Sequence, residues 1–350
     1  MKLTDREWKE FKVGNLFEIG KCKCSNVSLF KKGSIPYIGA TNKNNGTISF
    51  IDSGKKYITK GNCIVFICDG QGSVGYSIYK KENFVGSTTL KVGRNLLLNK
   101  YNALFFTTAL DKNRSIYSYG YKRNENRLKN EHILLPITSK GEPDYKFMED
   151  YVKEIMHRKR QEYIDYAQKI LAGGGKTKVI QSLMNKKWKA FKISDIFEIF
   201  AGKRLENKNQ IIGNIPFIGA TDSNNGITNF VSNKNTSFDN NVLGINYNGS
   251  VCEAFYHPYK CIFSDDVKRL HLKNSRNTEN VLLFFSSIIK KQKEKYRYAY
   301  KFNTERMKKQ YIMLPVDDKG NPDYEYMEYY TQNKMFAKYN DYLQYANNLE

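Results

Sequence analysis

Ile35-Pro-Tyr-Ile-Gly-Ala-Thr41, followed by Asn44-Asn45-Gly46, returns 180 residues later as Ile215-Pro-Phe-Ile-Gly-Ala-Thr221 and Asn224-Asn225-Gly226. The same offset relates Trp8-Lys-Glu-Phe11 to Trp188-Lys-Ala-Phe191, and Leu16-Phe-Glu-Ile19 to Ile196-Phe-Glu-Ile199. Farther along the offset is 179. It relates Arg127 to Arg306, Leu135-Pro136 to Leu314-Pro315, and Lys140-Gly-Glu-Pro-Asp-Tyr145 to Lys319-Gly-Asn-Pro-Asp-Tyr324. Anchors that stay in register this far require both halves to share one fold. A period this long describes a tandem domain pair, because solenoid repeats run only about 20–45 residues. Between the anchors, residues 52–115 bear little likeness to 232–294. One scaffold therefore carries two different surfaces.

Each half reads as mixed α and β. Ile35-Pro-Tyr-Ile-Gly is a strand running into a turn, and Asn-Asn-Gly tolerates the positive φ of a hairpin turn. Lys60 to Ile67 reads as turn then strand, Asp69 to Gly75 as a Gly-rich loop, and Leu96 to Leu110 as a helix. Pro143-Asp144 marks a helix start with Asp144 as N-cap. Met148, Tyr151, Val152, Ile155 and Met156 then follow at helical spacing, and Tyr163, Tyr166 and Ile170 extend the stripe. The pattern predicts a helix of about 25 residues, and Met327 to Leu349 repeats it. Two such stripes predict an antiparallel helix pair. The three glycines after Ala172 predict a flexible linker over 173–185.

The 350 residues carry 57 Lys and Arg against 35 Asp and Glu, a formal net charge of +22. That excess predicts an anionic partner. No apolar run approaches the length of a membrane span of about 20 residues. Nothing at the N-terminus reads as a signal peptide, so a cytoplasmic protein is expected. Six scattered cysteines without C-x-x-C spacing, and four scattered histidines, give no metal-site pattern. No catalytic site is predicted. Gly173-Gly-Gly-Lys-Thr177 lacks the first glycine and the preceding strand of a phosphate loop. Asn321-Pro-Asp-Tyr324 only approaches the [ND]-P-P-[YF] motif of a DNA methyltransferase, and its twin Glu142-Pro-Asp-Tyr145 marks it as a repeated helix start.

Tandem units with W-x-x-[FY] near the start, an I-P-[YF]-I-G-A-T-x-x-N-N-G core, an L-P-[IV] near the end and then a helix resemble the specificity (S) subunits of type I restriction–modification systems and of the related BcgI-like systems. The resemblance implies an α/β protein of two tandem target recognition domains, separated by an antiparallel pair of long helices. On this reading domain 1 is 1–143, spacer helix 1 is 144–172, the linker is 173–185, domain 2 is 186–322 and spacer helix 2 is 323–350. It implies a bipartite double-stranded DNA target and two methyltransferase subunits docked on the helices. S-adenosylmethionine would be held by those partners, with none bound by this chain. A restriction subunit is the further partner where the complex cleaves DNA. The helices are shorter than the long type I spacers, which favours the BcgI-like architecture.

Two stretches in each half suit DNA. Tyr119, Tyr121, Lys122, Arg123, Asn124 and Arg127, with Tyr298, Tyr300, Lys301, Asn303 and Arg306, combine stacking faces, cations and amides, which serve phosphate and base-edge contacts. Lys43, Asn44 and Asn45, with Asn224 and Asn225, sit at an expected loop tip. Lys203 and Arg204 are expected to position phosphate. Tyr151, Ile155, Tyr163, Tyr330 and Tyr342 are the expected partner-facing helix residues. A second reading stays open: a stand-alone, sequence-tolerant nucleic-acid-binding protein acting as decoy or regulator.

Overall fold

The computed structural model describes every residue except Ser25, Ser53, Gly54, Gln71, Tyr119, 174–176, 274–276, 297–299 and 349–350. The chain divides into two compact units, Met1–Tyr163 and Ile164–Glu350. Among the described residues no helix is long and apolar enough to cross a membrane.

Unit 1 runs β1 (Trp8–Lys12), α1 (Val13–Leu16), β2 (Glu18–Lys21), β3 (Lys32–Ile38), β4 (Thr47–Ile51), β5 (Ile58–Thr59), β6 (Cys63–Ile67), β7 (Ser77–Lys80), β8 (Phe84–Gly86), β9 (Leu90–Arg94), α2 (Lys100–Asp111), α3 (Glu125–Asn130), β10 (His132–Pro136) and the first part of α4 (Tyr145–Gly173), whose last turns belong to unit 2. An antiparallel sheet of order β2-β9-β6-β7 adjoins a mixed sheet of order β4-β3-β8-β5, and β1 pairs with β10. Unit 2 runs β11 (Trp188–Lys192), α5 (Ile193–Ile196), β12 (Phe197–Ala201), β13 (Ile212–Ile218), β14 (Ile227–Val231), β15 (Val242–Asn246), β16 (Ala254–His257), β17 (Ile262–Phe263), β18 (Val267–Leu272), α6 (Glu279–Lys290), α7 (Thr304–Lys309), β19 (Tyr311–Pro315) and α8 (Tyr324–Asn347). Its sheets, β12-β18-β15-β16, β14-β13-β17 and β11-β19, repeat those of unit 1 without a counterpart of β5 among the described residues. The expected mixed α/β fold with a long helix after each sheet assembly is what forms.

The short sequence motifs are register partners. Trp8 lies opposite Pro136 and Trp188 opposite Pro315, so W-x-x-F and L-P are the two sides of one ladder. Each indole N–H donates to a backbone carbonyl five residues back, Leu3 at 2.9 Å and Leu183 at 3.0 Å. Each ring stacks on a helix phenylalanine, Phe105 or Phe284. After the ladder the chain turns through Gly141 or Gly320, at φ +75° and +77°, a conformation suited to glycine. Asp144 and Asp323 then cap the long helices, each accepting from the amide three residues on at 2.9 Å.

Helix α2 differs from the expected 96–110 span. Asn99 caps it by accepting from the amides of Tyr101 and Asn102, which leaves Leu96 and Leu97 exposed in the preceding loop. The helix stripes are also shared differently from the expected pairing. Tyr151 and Val152 pack with Met148 on the unit 1 core, and Tyr330 packs edge-on against Phe284 in unit 2. Within unit 2, Tyr166 meets Tyr339, Asn333 donates to the Lys178 carbonyl and Tyr326 to the Gln181 carbonyl. The partner number falls as the chain advances, so 166–173 and 178–181 run antiparallel to α8. These bonds tie down part of the expected linker.

Two buried polar groups show how the cores diverged. Arg123, expected at the DNA surface, is completely buried. Its guanidinium forms a bidentate pair with Glu131 at 2.8 and 3.0 Å and donates to the Gly75 carbonyl and the Ser77 hydroxyl, both at 3.0 Å. Tyr117 donates to the same carboxylate at 2.8 Å. In unit 2 the counterparts are Phe302, also fully buried, and Gln310, which accepts from Tyr296 at 2.7 Å. Arg123 is therefore a core residue, held inward because its charge is neutralised there. His257 is buried in unit 2, its Nε2 has no hydrogen-bond partner, and burial pushes its pKa down to about 4.

Removing one charge of a buried pair strands the other at a cost of about 3–5 kcal/mol, whereas an apolar replacement of the whole pair is often neutral. Arg123→Ala should lower the unfolding free energy by that amount in denaturant titration. Arg123→Phe with Glu131→Gln, which copies unit 2, should restore it. A double variant as unstable as the single one would contradict this account. His257 gives an acid-side dependence. The unfolded imidazole takes up a proton near pH 6.5 and the native one only near pH 4, so stability falls as pH drops through that window. The loss between pH 7 and 5 is about 2 kcal/mol, and His257→Phe should flatten the measured slope by that amount.

Candidate nucleic-acid interface

Three segments converge in unit 1: the turn 39–46, the loop 69–75 and the segment 117–127. Gly70 lies against Ala40, where an added Cβ would come within 2.8 Å of the Ala40 side chain. The Ser73 hydroxyl donates to Asn42 at 3.5 Å, Lys122 pairs with Asp69 at 2.7 Å and the Arg123 amide donates to the Cys68 carbonyl at 3.2 Å. In unit 2 the turn 219–226 and the loop 246–252 meet likewise. Asn246 donates to the Thr221 carbonyl at 2.9 Å and the Ser250 amide to the Ala220 carbonyl at 3.2 Å. In unit 1 the turn, the Gly-rich loop and the segment carrying Lys122 and Arg123, which the sequence marks separately, are thus in contact, and in unit 2 the turn and the loop are.

The Tyr-rich segment forms a planar stack. The Arg127 guanidinium lies 3.7 Å over the exposed Tyr121 ring, which stacks on Tyr117. Arg306 lies 3.8 Å over Tyr300, which stacks on Tyr296 at 5.6 Å. One guanidinium N–H is held by the carbonyl of Lys122 or Lys301, each at 2.8 Å. Asn124 and Asn303 are the N-caps of α3 and α7, accepting from the amides of Arg127 and Arg306. Their oxygens therefore aim the arginine-bearing turn. Such a stack pre-orders a cation whose remaining donors suit phosphate or a base edge. Tyr119 and Tyr298 lie outside the described residues.

The turn residues have a structural task as well. Asn44 and Asn45, and Asn224 and Asn225, adopt positive φ of 49–52°. Asn45 donates to the Tyr79 carbonyl at 3.4 Å, and Asn225 to the Tyr256 carbonyl at 3.1 Å and the Tyr259 hydroxyl at 3.0 Å. Lys43 is exposed beside them. Lys203 is exposed, while Arg204 pairs with Glu206 at 3.3 Å. Three cations escaped the sequence reading. Arg114 lies 4.3 Å over the Tyr76 ring, and Lys81 and Lys100 border an open cleft of about 500 Å3 that Asn42 and Asn45 also line. They fall in the divergent region, where no repeated anchor marks them.

On the helices, Ile155 lines a cleft of about 500 Å3 with Leu104 and Leu134, both exposed, and with Tyr151. Tyr163 is exposed, and Tyr342 stands beside Tyr345. Burial pushes the thiols of Cys22, Cys63 and Cys68 up to about 11 and those of Cys252 and Cys261 to about 12, so they are protonated at neutral pH. Among the described residues no group of three or more His, Cys, Asp or Glu could hold a metal.

Residues 5–164 and 185–340 each match the family described as the type I restriction modification DNA specificity domain. The specificity subunit S.BcgI of the type II restriction enzyme BgcI from Heyndrickxia coagulans is 42% identical over 326 residues, 93% of each chain. Among solved structures, the type I restriction–modification S subunit from M. genitalium is similar at 16% identity and a TM-score of 0.48, over 100% of this chain and 95% of that one. The HsdS subunit from Thermoanaerobacter tengcongensis is similar at 12% identity and a TM-score of 0.32, over 98% and 90%. The chain belongs to the type I restriction modification DNA specificity family, the non-catalytic, target-selecting part of a restriction–modification complex.

Proposed function

We propose that each unit reads one half of a bipartite double-stranded DNA target, and that methyltransferase subunits, two per complex, dock on the long helices. The observation that carries this reading is the Arg127–Tyr121 stack and its twin Arg306–Tyr300, built alike in two units whose neighbouring loops differ. A repeated cation holds phosphate in each unit, and the divergent loops select different bases. The net charge of +22 suits the polyanion. S-adenosylmethionine and the methyl-transfer chemistry belong to the partner. The relative's role in a restriction enzyme supports a complex that also cuts, with the cleavage site on another subunit or domain.

The apolar cleft beside α4 supports partner docking, since Leu104, Leu134 and Ile155 leave an apolar surface at the helix flank. Tyr151 is mainly a packing residue of unit 1, edge-on to Phe105 at 6.0 Å. Leu134→Asp with Ile155→Asp should abolish co-purification of the methyltransferase while far-ultraviolet circular dichroism stays unchanged. Co-purification at the wild-type level would remove this surface from the interface.

Mapping methylated bases in cells that carry the methyltransferase with and without this chain tests the whole reading. The expected result is a split, asymmetric motif that needs the chain. Absence of new methylation beside a folded methyltransferase would point to a nucleic-acid-binding protein that works alone.

A further inference from the structure

The repeat supplies an internal comparison. Residues identical in both units and held in the same geometry cannot distinguish two different half-sites. Residues that differ within an otherwise identical frame can. The turn Thr41–Gly46 and its twin Thr221–Gly226 meet this condition.

The frame is the same bond for bond. The Gly39 amide donates to the Gly46 carbonyl at 3.0 Å and Gly219 to Gly226 at 2.9 Å. The Lys43 amide donates to the Thr41 hydroxyl at 3.2 Å, as Ser223 does to Thr221 at 3.2 Å. The Gly46 amide returns to the Lys43 carbonyl, and Gly226 to Ser223, both at 2.9 Å. Inside that frame only two positions differ, Asn42-Lys43 against Asp222-Ser223, and all four residues are exposed. The divergent loops elsewhere offer no such like-for-like exchange. Asn42 also lines the open cleft bordered by Tyr76, Lys81, Lys100 and Glu82.

We infer that Asn42 and Lys43 in unit 1, and Asp222 and Ser223 in unit 2, are base-reading residues. The Arg127–Tyr121 and Arg306–Tyr300 stacks hold phosphate without regard to sequence. The inference rests on the reading that each unit binds one half-site. The side chains fit base edges of different kinds. Asn pairs with the N6 and N7 edge of adenine and Lys with O6 and N7 of guanine, whereas Asp accepts from the amino group of cytosine and Ser bonds either way. Unit 1 accordingly takes purine N7 edges at this turn, and unit 2 the amino group of cytosine.

The test uses the full chain with its methyltransferase and maps methylated bases in cells. Asn42→Asp with Lys43→Ser should reduce methylation at the original motif at least about tenfold and change one or two adjacent bases in one half-site only. Asp222→Asn with Ser223→Lys should do the same in the other half-site. Arg127→Ala should lower methylation with the motif unchanged. An unchanged motif in both turn variants, a change spread over both half-sites, or loss of methylation without a new motif would overturn the assignment. So would a motif altered by Arg127→Ala. Failure of the wild-type chain to direct any split motif would instead overturn the half-site reading itself.

Discussion

The ladder that joins the first strand of each unit to the last is the constraint on which the rest depends. In β1–β10 and β11–β19 five residues pair on each side, bringing the first strand of each unit to within one strand spacing of its last. That closure fixes where the long helix begins, because the Asp144 amide donates back to the Pro136 carbonyl at 2.9 Å and Asp323 does the same to Pro315. It also places Trp8 and Trp188 over α2 and α6, the helices on which α4 and α8 pack. Sheets, caps and helix launch are coupled through one short antiparallel pairing. That explains why the repeated W-x-x-F, L-P and K-G-x-P-D-Y motifs lie at its two sides and at the turn beyond it.

Freedom between the anchors extends into the core. The change from Arg123 with Glu131 to Phe302 with Gln310 replaces a buried ion pair by an aromatic ring and an amide, keeping the tyrosine hydroxyl bond to position 131 or 310. Such an exchange needs both partners to change together, since either change alone leaves a buried charge without its counterion. Lys80 and His257 show the same latitude at the ends of β7 and β16. One is buried with an ion pair to Glu82, and the other is buried neutral. The scaffold thus tolerates different electrostatics inside as well as different loops outside.

Sequence reading was reliable where a single local rule decides the conformation. The Asn-Asn-Gly turns need positive φ, Asp144 and Asp323 complete helix N-termini, and the apolar stripe from Met148 specifies a helix. It failed where a side chain's direction depends on residues far along the chain. Arg123 sits between Lys122 and Asn124, both exposed, and nothing nearby marks its inward turn. Its partner Glu131 and its acceptors at Gly75 and Ser77 come from other elements. Likewise the stripe of α4 shows that one face is buried without saying against what. Tyr151 answers with Phe105 of its own unit, and Ala167 with Phe336 of α8.

The charge of the segments proposed to face DNA is held in reserve rather than left bare. Lys122 leans on Asp69, and Lys91 and Lys129 converge on Glu125, whose carboxyl they hold down to about 2. Arg204 and Lys208 share Glu206. Pairs of this kind at a surface contribute little to stability, so a phosphate can take over the cation at small cost. The acids remain nearby and repel a misplaced backbone. A uniformly cationic face would bind any duplex and hold it. A face whose cations are loosely committed to local acids binds weakly until several phosphates arrive together in the correct register, which is the condition under which base-edge contacts can decide between sequences.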